Sequence, residues 1–214
     1  MEQKINQAIK DALSNAPKRN FVESMDITFT IKDVDLQNPT NRIKEEIRLP
    51  SGRGRELKIA MFAASEAATM AKAAGLTVFT PQDIEDLGGN KGKAKKIANS
   101  YDFFLSEVPH MGLIGRYLGV VLGPRGKMPR PVPPTLDPGV IAAGLMSTVV
   151  VKSGDKTTFH AAFGTVDQSQ EELYANAMAV YTRVISKLER GLGNIRSLYI
   201  KTTMGPAQQI EVIN

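Results

Sequence analysis

The spacing of apolar residues changes twice along this chain, and that double change limits its possible folds more than any other feature. Residues 24–36, SMDITFTIKDVDL, alternate: Met25, Ile27, Phe29 and Ile31 fall on one face, Asp26, Thr28, Thr30 and Lys32 on the other. This is the period of a strand with one buried and one wet face, as antiparallel sheets have. RIKEEIRLP, after the turn QNPTN, reads as the strand returning beside it, and SGRGR after that as a flexible basic loop. From residue 56 the apolar runs become continuous and short. ELKIAMFAA, LTVFT and YDFFLSEVP are separated by the helical stretches SEAATMAKAAG, PQDIEDLGGNKGKAKKIANSY and MGLIGRYLGVVLG. Buried strands alternating with helices imply βαβ units and a parallel sheet; Ser65 has the side chain to cap the first helix and Gly75 to stop it.

Beyond Pro138 the first pattern returns. STVVVKSG and KTTFHAAFG read as two strands joined by the turn SGDK. Ser169-Gln170-Glu171-Glu172 forms a capping box. It opens a helix with Leu173, Ala177, Val180, Val184 and Leu188 on one face. RSLYIKTTMGPAQQIEVI reads as two strands around a Gly-Pro turn. An amphipathic helix also begins the chain, with Ile5, Ile9 and Leu13 in one stripe and Pro17 ending it. The outer segments are each too small to hold a core alone. The expected architecture is therefore a split α+β domain, residues 1–57 plus 148–214, made of an antiparallel sheet with helices. It is interrupted by an inserted Rossmann-like α/β domain, residues 58–147. The two chain crossings, near 53–57 and 139–147, carry glycines that could serve as a hinge.

Composition narrows the chemistry. The 214 residues contain no cysteine, which excludes disulfides, thiol nucleophiles and thiolate metal sites. No apolar run approaches the roughly 20 residues that span a bilayer, so no membrane partner is expected. The formal charge is +5, with basic residues gathered in SGRGRELK, NKGKAKK and GPRGKMPR, a distribution that points toward an anionic partner. Three solvated loops are the plainer reading of those clusters.

The stretch VVLGPRGKMPRPVPP, residues 120–134, suggests a phosphate loop, but it lacks the strand–GxxxxGK[ST]–helix arrangement. The first βα turn, AASEAA, has no glycine to admit a pyrophosphate. His110 and His160 fall in different domains, neither with a carboxylate at metal-ligand spacing. No catalytic constellation, metal site or cofactor site is visible. A soluble α/β enzyme binding a phosphorylated ligand in the inserted domain stays as the alternative reading. By contrast Thr202-Thr203-Met204-Gly205-Pro206 places a methionine at a turn beside two hydroxyls, and Phe21 follows Lys18 and Arg19. Hydroxyls and small apolar groups suit the 2′-OH-rich shallow groove of RNA; packing of a turn is the competing explanation for Met204 and Phe21.

GPRGKMPRP, DKTTFHAAFG and SLYIKTTMGP, in that order and spacing, resemble the large-subunit ribosomal protein L-one family, the protein of the mobile rRNA stalk. The resemblance covers essentially the whole chain, and KMPRPVPP is similar to the archaeal or eukaryotic branch. It implies no enzyme but a structural constituent of the large ribosomal subunit, cytoplasmic and located on the ribosome. The rRNA stalk near the tRNA exit site and exit-site tRNA are the implied partners. It also implies a translational repressor binding its own mRNA leader, and a monomer off the ribosome. Residue by residue, it carries RNA binding onto Phe21 and Ser24, onto Lys156 and Thr157 in the turn DKT, and onto Ser197, Thr203, Met204 and Gly205. Ser24 stands where threonine is frequent in the family, and Asn20 where a lysine is common in bacterial members. Arg125, Lys127 and Arg130 are expected to add a secondary electrostatic contact.

Overall fold

The computed structural model describes residues 1–134 and 136–212. By contact the chain divides into two compact units, Met1–Arg55 with Ser147–Asn214, and Glu56–Met146.

The split unit is built around β1 (Ser24–Ile31). Its alternation is reproduced residue for residue: Met25, Ile27, Phe29 and Ile31 are buried and the intervening side chains are half-exposed. β1 is bonded on both edges, antiparallel to β8 (Thr158–Thr165) and to β9 (Ile195–Thr202), and β10 (Gln208–Ile210) extends the sheet to the order β10-β9-β1-β8. One face is covered by α1 (Glu2–Ser14) and α7 (Gln170–Lys187). Ile5, Ile9, Leu173, Ala177, Val180 and Val184 of these helices are fully buried in the same core cluster as Phe29, Phe159 and Phe163. The capping box at Ser169 is present, the Ser169 side chain accepting from Glu172 N–H and the Glu172 side chain from Ser169 N–H.

One strand expectation is corrected. The segment after QNPTN, β2 (Lys44–Arg48), does not lie beside β1, because β8 and β9 already take both edges of that strand. It pairs instead with β7 (Thr148–Lys152) in a separate two-stranded antiparallel ribbon. β7 and β8 are the two strands expected around SGDK, in different sheets, and the chain turns between them through Gly154 at φ 59°. β2 is tied to α7 by Glu45, which accepts from Arg183 at 2.7 Å and Lys187 at 2.9 Å. The Lys187 ammonium, with the Arg183 guanidinium, holds the Glu45 carboxyl below its ordinary range.

SGRGR is also not the loose loop its glycines suggest. The side chain of Asn176, fully buried on α7, accepts from Ser51 N–H at 3.0 Å and donates to Gly52 O at 2.8 Å and Phe163 O at 2.9 Å. Gln168 donates to Ser51 O at 3.1 Å and accepts from Thr165 N–H at 3.0 Å. Gly52 and Gly54 serve here as residues with φ near 70°, where a side chain would be strained.

The inserted unit is a parallel sheet in the order β4-β3-β5-β6: β3 (Ile59–Phe62), β4 (Thr77–Phe79), β5 (Phe103–Glu107) and β6 (Arg130–Val132). Helices α3 (Pro81–Gly89), α4 (Lys91–Ser100) and α5 (Met111–Arg125) cluster around Phe62 and Phe104. On the other face α2 (Ser65–Ala73) and α6 (Pro138–Met146) pack with Met61 and Leu105. α6 occupies most of the chain crossing expected near 139–147. α2 is not capped by Ser65, which sits at φ 47° as the first helical residue; the Glu107 carboxylate instead accepts from Ala64 N–H at 2.9 Å. Among the described residues no helix is long and apolar enough to cross a membrane, and no cluster of side chains could hold a metal ion.

Candidate nucleic-acid interface

The register of the split-unit sheet assembles its polar residues into rows. Opposite Thr30 stand Ser197 on β9 and Thr158 on β8; opposite Thr28 stand Tyr199 and His160; opposite Asp26 stand Lys201 and Ala162. All lie on the face that α1 and α7 leave uncovered, since their strand neighbours Ile27, Phe29, Phe159, Ala161, Leu198 and Ile200 fill the core. Thr30 and Thr158 share a hydrogen bond between hydroxyls at 3.3 Å. Partial burial pushes the Asp26 carboxyl up, against the opposing pull of His160 and Lys201.

At one end of this face the chain builds a fixed turn. Thr203 N–H donates to Ser24 O at 3.0 Å, and the Thr203 hydroxyl accepts from Ser24 N–H and donates to Ser24 O, each at 3.2 Å. Met204 N–H donates at 2.9 Å to the carboxylate of Glu23, which is only 3% exposed; a charge-assisted bond of this kind is stronger than a neutral one. Gly205 N–H donates to the buried hydroxyl of Thr202 at 3.0 Å, and a Cβ at Gly205 would collide with that same oxygen. With its backbone held this way, the Met204 side chain is turned out and 57% exposed. Phe21 is 55% exposed, beside Lys18 and Arg19, which are exposed as well. Packing of the turn therefore does not account for either apolar side chain.

Phe21, Ser24, Thr203, Met204 and Gly205 are thus brought together at this end. Ser197, Lys156 and Thr157 are at the other: Ser197 pairs with Thr30, and Ile31 N–H bonds Thr157 O at 2.9 Å. Six residues of β1 separate the two groups, about 20 Å of strand. The residues between them, Asp26, Thr28, Thr30, Thr158, His160, Tyr199 and Lys201, were not among those expected, nor was Glu23. The signal for Glu23 lies in the sequence: it falls two residues before Met25, in phase with the buried stripe, where a carboxylate needs a partner.

Arg125, Lys127 and Arg130 lie in the inserted unit, and each is engaged by its own fold. The Lys127 ammonium donates to the last carbonyls around α4, Ala98 O at 2.9 Å and Tyr101 O at 2.7 Å. Arg130 lies over the Phe103 ring at 5.3 Å. Arg125 bonds Val121 O and Asn99 at the end of α5 but stays exposed. The stretch 120–134 is the end of α5, its left-handed cap at Gly126 and the strand β6. At the first βα turn, Ala64 N–H donates to Glu107, which places a carboxylate beside the start of α2.

Residues 12–206 match the model of the Ribosomal protein L1p/L10e family. The chain is 47% identical over 207 residues to the large ribosomal subunit protein uL1 of Picrophilus torridus, covering 97% of each chain. It is 45% identical over 211 residues to that of Methanothermobacter thermautotrophicus, covering 98% of this chain and all of the relative. To the protein of the same name from Methanocaldococcus jannaschii it is 44% identical over 205 residues, covering 96% and 94%. These relatives are named as ribosomal proteins, not enzymes, which removes the reading of the inserted unit as an enzyme for phosphorylated ligands. A family match over residues 12–206, with relatives 44–47% identical across 94% or more of each chain, places the chain in the ribosomal protein L1p/L10e family.

Proposed function

We propose that this chain binds large-subunit rRNA at the mobile stalk through the uncovered face of its split-unit sheet. We propose in addition that it represses translation by binding a similar structure in its own mRNA leader. The observation that carries the reading is the set of hydroxyls aligned across three strands and ended by an outward methionine. Thr28, Thr30, Thr158 and Ser197 offer groups that both donate and accept, suited to 2′-OH contacts, while Tyr199 and His160 offer rings on which an unpaired base can stack. Phe21 and Met204 exclude water at one end, Gly205 brings the backbone close, and Lys156 and Lys201 supply positive charge. Relatives named as large ribosomal subunit proteins support the same partner. A cytoplasmic place on the ribosome follows, with exit-site tRNA as a neighbour of the stalk. Arg125 supplies a secondary electrostatic contact, with Lys127 and Arg130 holding the loop that presents it.

Competition between a stalk rRNA fragment and the chain's own leader transcript tests both parts. Each RNA is expected to displace the other completely, as ligands of one site do. A leader that fails to displace the stalk removes the repressor function, and a stalk fragment that does not bind removes the reading altogether. In the same assay, replacing Lys91, Lys93, Lys95 and Lys96 of α4 by glutamine is expected to flatten the salt dependence. The loss is about 0.7–0.9 in slope for each phosphate contact removed, with the preference for stalk RNA over a scrambled RNA unchanged. A change in preference with the slope intact would place base recognition on α4 instead.

A further inference from the structure

The inserted unit has a crevice of its own, distinct from the sheet face of the split unit. In open α/β sheets ligands sit beyond the carboxyl ends of the strands, where the strand order reverses. Here the chain starts at β3, passes to β4 on one side and then to β5 on the other. Beyond those ends lies a depression walled by α2 and by the segments that follow β5 and β6. Met61, Ala67, Met70, Val108, Val132 and Leu136 give it apolar walls, with four prolines stiffening the rim. Met70, Val108 and Leu136 are exposed although large and apolar. Among the described residues, the charged ones lining it are Glu66 and Glu107, in a chain whose net charge is +5. Asp137, between Leu136 and Pro138 in the chain, is exposed as well.

The carboxylates in its lining disfavour a phosphate ligand. Glu107 accepts from Ala64 N–H, one residue before α2, and lies 3.1 Å from His110 Nε2. Glu66 is exposed in the first turn of α2. We propose that this crevice is a docking site for a basic, apolar segment of another protein. Unbranched or aromatic side chains of that segment enter between Met70, Val108 and Leu136, over a floor that includes Met61, and the Met70 side chain adapts its shape to the guest. Its lysine or arginine side chains meet Glu66 at the rim. RNA is the wrong partner here, because its phosphates would face carboxylates with no lining cation to offset them.

Methionine-methyl NMR on the intact chain tests this, with a synthetic octapeptide alternating leucine and lysine and a twin carrying glutamate for lysine. The lysine peptide is expected to shift the Met61 and Met70 methyls saturably, and the glutamate twin to bind at least about tenfold more weakly. Glu66→Lys, at an exposed position, is expected to weaken the lysine peptide by about fivefold or more, with the fold kept and the thermal midpoint slightly lowered because a cation replaces an anion in the first turn of α2. No saturable shift, equal binding of the two peptides, or the same methyls shifting with polyuridine would each overturn the proposal. So would shifts that appear on concentrating the chain alone, which would make a second copy the occupant. Stalk rRNA binding by Glu66→Lys reports on the split unit, so the two readings stand or fall separately.

Discussion

Replacing Met204 by alanine is expected to weaken binding of a stalk rRNA fragment at least about tenfold, or about 1.4 kcal/mol, with the thermal midpoint unmoved. The side chain is 57% exposed in the free chain, so its truncation removes little that the fold uses. Its backbone N–H keeps the bond to Glu23 whatever the side chain. On binding, the thioether leaves water, and full burial of a methionine is worth about 1.5–3 kcal/mol. Leucine at the same position, close in volume, is expected to retain most of the affinity. A fluorescence titration at fixed salt measures both variants. Equal affinity for Met204→Ala and the unaltered chain would remove Met204 from the interface.

The largest effect on stability is expected at Asn176. Asn176→Leu keeps the bulk but strips partners from Ser51 N–H, Gly52 O and Phe163 O. Each buried backbone group left unsatisfied costs about 1–3 kcal/mol, and a total of about 3–5 kcal/mol allows for partial relaxation. Urea unfolding followed by circular dichroism would show this as a lower midpoint. Aspartate is expected to do no better: it can still accept from Ser51 N–H, but it turns a carboxylate toward two carbonyls. A loss below about 1 kcal/mol for leucine would mean that water replaces the amide at no cost, and that residues 51 and 52 are not anchored by α7.

Much of the fold was legible because periodicity reports burial directly. The stripe of α7, the alternation of β1 and the continuous runs of β3 and β5 each match the layer in which the structure places them. What periodicity does not report is which edges pair. β1 and KEEIR are adjacent in sequence and strand-like, yet β1 is saturated by strands arriving more than 120 residues later, so KEEIR pairs with β7. Ser65 shows the other gap: a capping residue type does not cap where it is itself the first helical residue at φ 47°, and the nearby backbone bond to Glu107, distant in sequence, is made by Ala64. RPV and PGVIAAGLM were hidden by prolines, although β6 is an edge strand and Pro138 begins its helix, positions where proline is tolerated.

The candidate site divides the same way. Thr203, Met204 and Gly205 were legible from their unusual composition at a turn. Asp26, Thr28, Thr30 and His160 could be assigned to a wet face by alternation, but not to one surface with Ser197 and Tyr199, because cross-strand register is a tertiary property. Lys127 was read as a free cation from its sequence neighbours, whereas the carbonyls that hold it belong to residues 98 and 101.

The central claim is that RNA lies along the sheet face of the split unit. Amide and methyl NMR of the intact chain, titrated with a stalk rRNA fragment at two salt concentrations, tests it most directly. The predicted result is a continuous track of perturbed residues from Phe21, Ser24, Thr203 and Met204, through Thr28, His160 and Tyr199, to Ser197 and Thr157. That track should persist at the higher salt, while shifts on α4 fade. Perturbations confined to the inserted unit, or falling on the solvent faces of α1 and α7 with the sheet face silent, would contradict it.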